Sequence, residues 1–221
     1  MASNTASTGR LIAVDGSRGA DVVKSANRLA EALRARGVDC VISRWDASGL
    51  FGELSQAGDC ATVSPRTLSL VYAADLAFRL RWEIRTALEA GVVVIAAPYL
   101  KTAVAFGAGC GLPEQWLREL LRFAPPPELQ ALARERKLER SWKGRLDRGY
   151  PEFCAALLAP SAPRLLSKKT RAAVIASLEH SPGRRVYQLS DAGVDRVVKA
   201  ITRNRPAAAS PAPSRPRTER K

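Results

Sequence analysis

Short apolar runs that alternate with helix-period stretches constrain this chain more than any other feature. Residues 10–15, 38–42 and 92–96 are such runs, and Val92-Val-Val-Ile-Ala96 carries no polar residue at all. A strand that is apolar on both faces has to be covered on both faces. Alternation with helices therefore predicts a parallel sheet between two helical layers. Between the first two runs, Val22, Ala26, Leu29, Ala30 and Leu33 recur at three- and four-residue spacing, which marks a helix over 21–36. Gly37 stands where a C-cap glycine belongs.

The rest of the chain continues the pattern. Ser64-Pro65 reads as an N-cap followed by a first-turn proline, opening a helical stretch over 64–90. Residues 107–111 read as a loop, and a helix runs from 112–114 to before Pro125. The charged stretch 129–146 reads as a helix, as does 171–179. Residues 185–189 read as a further strand and 192–202 as a closing helix. The expected organisation is one α/β domain over 10–202 between disordered ends, 1–9 and 203–221, the latter a Pro/Ala-rich basic tail. No internal repeat is present.

Composition narrows the function classes. The net charge is +14, which invites a nucleic-acid reading. The charge is concentrated, however. The tail holds six basic residues and one acid, and 134–148 holds seven basic residues and three acids. No aromatic residue interleaves with the basic ones in the tail, as a stacking platform requires. Nucleic acid is therefore a minor expectation, kept open by the tail. The four cysteines, at 40, 60, 110 and 154, match no zinc spacing and read as reduced cytoplasmic thiols. His180 is the single histidine, which argues against a Ser-His-Asp triad and histidine metal sites. No apolar run is long enough to span a membrane.

In a sheet of this kind ligands bind beyond the carboxyl ends of the strands. The first such loop, Asp15-Gly-Ser-Arg-Gly-Ala-Asp-Val-Val-Lys-Ser25, stands where a phosphate-binding loop would. That chemistry needs glycines so that backbone N–H groups can surround phosphate, a lysine for the outer phosphates and a hydroxyl for magnesium. Gly16 and Gly19 are present, but the Gly-Lys-Ser/Thr ending is not.

Here the chain resembles the thymidylate kinases, P-loop enzymes that phosphorylate dTMP with ATP. Asp15-Gly16-x-x-Gly19 matches the first half of the family's E-G-x-x-G-x-G-K-S/T. Arg44, Gly52 and Glu53 match parts of R-E-P-G-G-x-x-x-G-E. Ser64-Pro-Arg-Thr67 and Leu70-Val-Tyr-Ala-Ala-Asp-Leu-Ala77 match S-P-R-T and L-L-F-A-A-D-R-A. Ala87-Leu-Glu-Ala-Gly91 with the strand after it, then Ala97-Pro-Tyr99, and Gly107-Ala-Gly-Cys-Gly-Leu112 match three further motifs in order. The resemblance implies a three-layer P-loop kinase fold, a dTMP site with Tyr72 beside the base, magnesium and ATP if the kinase activity survives, and a possible homodimer.

The departures fall on the chemistry. In gapless register Asp21, Val22 and Val23 stand for the family's glycine, lysine and hydroxyl residue. Leu76 replaces an arginine, and Ala97-Pro98 replaces the D-R of D-R-Y. The family strand expected after the helix ending near 123 has no counterpart in this reading, so one strand is expected to be missing. The resulting expectation is a kinase-like protein that has lost phosphoryl transfer and acts as a nucleotide-binding or regulatory module. The alternatives are an active dTMP kinase with displaced groups and a basic nucleic-acid-associated protein.

The candidate nucleotide-binding residues are Asp15, Gly16, Gly19, Arg44, Tyr72, Asp75 and Tyr99, with Lys24 and Arg18 as possible substitute cations. Lys24-Ser25 could be the displaced Lys-Ser pair. Tyr72 could face a base or the core, and Arg44 could pair with a phosphate or with Asp75. Residues 134–148 could be an arginine-bearing lid or a solvated helix with i,i+4 pairs.

Overall fold

The apolar runs form strands β1 (Leu11–Asp15), β2 (Cys40–Arg44), β3 (Val93–Ala97), β4 (Leu129–Ala133) and β5 (Val186–Leu189). In the computed structural model they make one five-stranded sheet in the order β2-β3-β1-β4-β5, with every neighbouring pair parallel. The structure describes residues 9–16, 19–45, 64–109, 111–133, 176–178 and 185–203.

Helix α1 (Gly19–Arg34) and helix α6 (Asp191–Arg203) cover one face. Val22, Leu29, Leu33, Val197 and Ile201 pack there on Ile12, Val14, Val93 and Ile95. The other face carries helix α2 (Pro65–Arg79), a π-helical turn (Leu80–Ile84), α3 (Arg85–Glu89), α4 (Leu100–Gly109) and α5 (Glu114–Leu120). Tyr72, Leu76, Ile84, Phe106 and Leu117 pack there on Leu11, Ala13, Val94 and Ala96. Neighbouring residues of one strand thus feed opposite cores, as the period of two requires, and the expected three-layer fold is present.

Local signals set the helix ends. Gly37, at φ 68°, closes α1: its N–H donates to Arg34 O (2.9 Å) and the Val38 N–H donates to Leu33 O (3.1 Å). This is the pair of bonds that satisfies orphan carbonyls in a left-handed cap. Ser64 caps α2, its hydroxyl oxygen accepting from the Thr67 N–H at 3.1 Å ahead of Pro65.

Two expectations need correction. Residues 129–133, read as the start of a helix, are strand β4, paired with β1 from Ile12↔Leu129 to Asp15↔Leu132. Leu, Gln and Ala favour helices, but pairing between β1 and β5 overrides that preference. The family strand taken as missing is therefore supplied by β4, and it ends on Ala133 without a carboxylate. Residues 107–109, read as a loop, belong to α4, where Gly107 meets the Leu117 side chain of α5 with no room for a Cβ. The expectations for 1–8, 134–148, His180 and 204–221 lie outside the described residues.

The order of strands fixes where a crevice can form. The chain leaves β1 toward the β2 edge and leaves β3 in the opposite direction, toward β4. The switch point lies between the carboxyl ends of β1 and β3.

Candidate functional site

At that switch point Asp15 ends β1 and is 2% exposed. Its Oδ1 accepts from the Tyr99 N–H (2.9 Å), the Thr102 N–H (3.0 Å) and the Thr102 hydroxyl (2.7 Å). The carboxylate thus caps α4 from another strand, satisfying donors that a helix start leaves without partners. The Thr102 hydroxyl oxygen accepts from the Gly16 N–H in turn (3.2 Å). Burial pushes the Asp15 carboxyl above the ordinary carboxylate range, against the pull of the hydrogen bonds from Thr102 and Tyr99 and of the Lys101 charge. Asp15 joins β1 to α4.

The first loop is short. β1 ends at Asp15 and α1 begins at Gly19, which leaves residues 16–18 between them. Val22 is fully buried beneath Gly16: a Cβ on Gly16 would stand 2.9 Å from Val22 Cγ2 and 3.1 Å from Ala133 Cβ. Asp21 lies in the first turn of α1 at 7% exposure, placing a carboxylate where a helix N-terminus favours an anion. Val23 is exposed, and Lys24 is exposed on the outer side of α1, while Ser25 is buried. These residues do not fit a magnesium-bound triphosphate: the lysine position lies in the core, and the hydroxyl position is an exposed valine. Arg18 is outside the described residues.

The structure does not bring Arg44, Tyr72 and Tyr99 together. Arg44 ends β2 on the α1 side of the sheet, where its Nη2 donates to Asn27 Oδ1. It lines an open cavity of about 540 Å³ at the β2 edge with Asn27, Arg34, Ile42 and Glu83. Tyr72 is in the opposite core at 1% exposure, and its hydroxyl donates to Tyr99 O at 2.8 Å. The Trp45 ring stands edge-on to it at 4.7 Å, covering the ring. Tyr99 is fully buried, and its hydroxyl donates to Pro125 O at 2.8 Å. Burial raises the pKa of both phenols. Both tyrosines therefore hold the frame of the crevice rather than line an opening.

Asp75 pairs with Arg79, not with Arg44. Arg79 Nε donates to Asp75 Oδ2 at 2.7 Å, and Nη1 donates to the Ser43 hydroxyl at 3.4 Å. That hydroxyl donates to Glu83 Oε2 at 2.8 Å. Sequence reasoning passed over Arg79, which no matched motif contains. The available signal was its position four residues after Asp75 within an otherwise apolar stretch of α2.

No family model matches the chain. Among curated proteins it is 31% identical over 134 residues to the probable thymidylate kinase of Thermococcus gammatolerans, covering 56% of this chain and 64% of that one. It is 30% identical over 131 residues to the probable thymidylate kinase of Pyrococcus abyssi, with the same coverage. It is 35% identical over 118 residues to the thymidylate kinase of Thermomicrobium roseum, covering 51% of this chain and 55% of that one. The match thus spans about half of this chain and less than two thirds of each relative.

Proposed function

This chain is a homologue of the thymidylate kinases over about half its length, and from that kinship we propose that it keeps their fold without their phosphoryl transfer. In this reading it is a cytoplasmic module that binds a nucleoside monophosphate such as dTMP or regulates a partner. The observation that carries the proposal is Val22, packed against Gly16 in the core at the position where the family's lysine would stand.

Magnitude supports the loss. Removing one preorganised group that stabilises transition-state charge costs roughly 100- to 1000-fold in rate. The groups replaced by Val22, Leu76, Ala97 and Pro98 are absent together. Val22, Leu76 and Ala97 are buried apolar residues that contribute to one core or the other. An active enzyme would have to use Lys24 instead, but that side chain is exposed on the outer side of α1.

Of the candidate set, Asp15, Gly16 and Gly19 shape the first loop, and Tyr72 and Tyr99 support the crevice from the core. Asp75 and Arg44 carry charge at its two sides. The proposal includes pairing with a second copy of the chain through α2 and the π turn. Leu70, Phe78 and Trp82 are 47%, 62% and 60% exposed there at four- and eight-residue steps, a run of apolar surface of the kind that marks interfaces. Among the described residues no helix is long and apolar enough to cross a membrane.

Calorimetric titration of the full chain with dTMP and with MgATP tests the ligand side. Binding of dTMP without MgATP is expected. Tight MgATP binding without dTMP would reverse the assignment.

A further inference from the structure

The Arg79 guanidinium is a buried side chain near the switch point whose hydrogen bonding is incomplete among the described residues. The residue is 2% exposed and lies at the end of α2, reaching Ser43 near the carboxyl end of β2. Its Nε is held by Asp75 and its Nη1 by Ser43, while Nη2 is buried with no hydrogen-bond partner. A buried charged donor left without an acceptor is costly, and such a group calls for a specific account. The Ser43 hydroxyl accepts from Nη1 and donates to Glu83, and the Tyr72 hydroxyl donates to Tyr99 O beside the guanidinium without a hydrogen bond to Nη2. The ion-pair partner of Arg79, Asp75, is the more exposed of the two, with 26% of the side chain open to solvent.

We propose that Arg79 is the anion receptor of this crevice, and that its Nη2 takes an oxygen of a phosphate monoester that approaches past Asp75. The proposal rests on the monophosphate reading above and changes which residue carries it. The receptor is Arg79 and not Arg44, which is engaged with Asn27 on the other side of the sheet. Arginine suits the task because its fork keeps a fixed orientation when two of its nitrogens are already held. Trp45 stands against Tyr72, so the ligand is recognised through its phosphate and not by stacking of a base on Tyr72. Asp75 has two effects in this arrangement: it orients the guanidinium, and its negative charge opposes the arriving anion.

The test is calorimetric titration of the full chain with three probes: inorganic phosphate, dTMP and thymidine. Phosphate and dTMP should bind, and thymidine should bind at least tenfold more weakly than dTMP. Arg79→Lys keeps the charge but loses the fork, and should weaken dTMP at least tenfold. Arg79→Gln should do the same, with circular dichroism reporting whether each variant is folded. Asp75→Asn should tighten phosphate several-fold, an effect that a purely structural ion pair would not produce. Equal binding of thymidine and dTMP to the unmodified chain would overturn the proposal without any variant. Undiminished dTMP binding by Arg79→Lys would overturn it while leaving the monophosphate reading intact. Failure of the unmodified chain to bind either dTMP or phosphate would overturn both.

Discussion

The Cγ2 methyl of Val22 stands 2.9 Å from where a side chain on Gly16 would begin. The space beneath the first loop is thus filled by the chain's own core. A glycine is required at 16 because β1 delivers it against both Val22 and Ala133, so the residue serves packing.

Gly16→Ala should therefore destabilise the fold by about 1–3 kcal/mol, the usual cost of forcing an extra carbon into a packed core. Val22→Ala makes room for it. The double variant should consequently be more stable than the sum of the two single effects predicts. Urea denaturation of the three variants reads this directly. Val22→Lys would bury an ammonium among Val14, Ala26 and Leu29, and should unfold the chain rather than rebuild a phosphate site.

Asp15 gives stability a pH dependence. Its folded-state pKa is raised, first by burial, so the folded chain holds the Asp15 proton more tightly than the unfolded chain does. Its contribution is present below the ordinary carboxylate pKa of about 4 and is lost as pH rises through the raised folded-state value. Asp15→Asn keeps an oxygen to accept from Tyr99, Thr102 N–H and the Thr102 hydroxyl while removing the charge. Its thermal midpoint should lose this component of the pH dependence as pH rises above about 4, and at pH 7 should equal or exceed that of the unmodified chain. Asp15→Ala leaves those donors without an acceptor and should cost roughly 1–3 kcal/mol.

Tyr72→Phe removes the 2.8 Å bond to Tyr99 O and leaves a buried carbonyl without that donor. A loss of about 1–3 kcal/mol follows. Tyr72→Leu removes the ring altogether; because that ring is a core group covered by Trp45, dTMP affinity of the folded variant should stay within twofold of the unmodified chain. A tenfold drop in affinity for Tyr72→Leu with an unchanged fold would return Tyr72 to the role of a base platform.

Trp82→Asp tests the pairing surface. Trp82 and Phe78 stand 6.4 Å apart on the exposed side of α2 and the π turn, with the Arg81 guanidinium 5.3 Å over the indole. Sedimentation should show a dimer for the unmodified chain and a monomer for the variant. A chain that is monomeric at every concentration would contradict the pairing.

The elements legible in the sequence are those set by local chemistry. The apolar runs of β1 and β3, the three- and four-residue spacing of α1, the Gly37 cap and the Ser64-Pro65 start each depend on neighbouring residues. Strand β4 was not legible, because Leu-Gln-Ala-Leu-Ala prefers a helix until β1 and β5 flank it. The site was less legible still. Ser43 and Arg44 are adjacent in sequence yet point to opposite faces, so which of them meets Asp75 and Arg79 depends on the face that α2 covers. Nothing local fixes that face. The burial of Tyr72 and Tyr99 likewise follows from the packing of α2 and α4 on the sheet, as does the position of Arg79.

Turnover with ATP and dTMP tests the central claim most directly. Purified full-length chain, incubated with dTMP and MgATP, should form no dTDP above the background without protein, because a buried valine stands in the lysine position and the arginine positions are apolar. Formation of dTDP at ordinary kinase rates of roughly 1–100 per second, lost on Lys24→Ala, would show that the phosphoryl-transfer machinery is displaced and not absent, and would contradict the account.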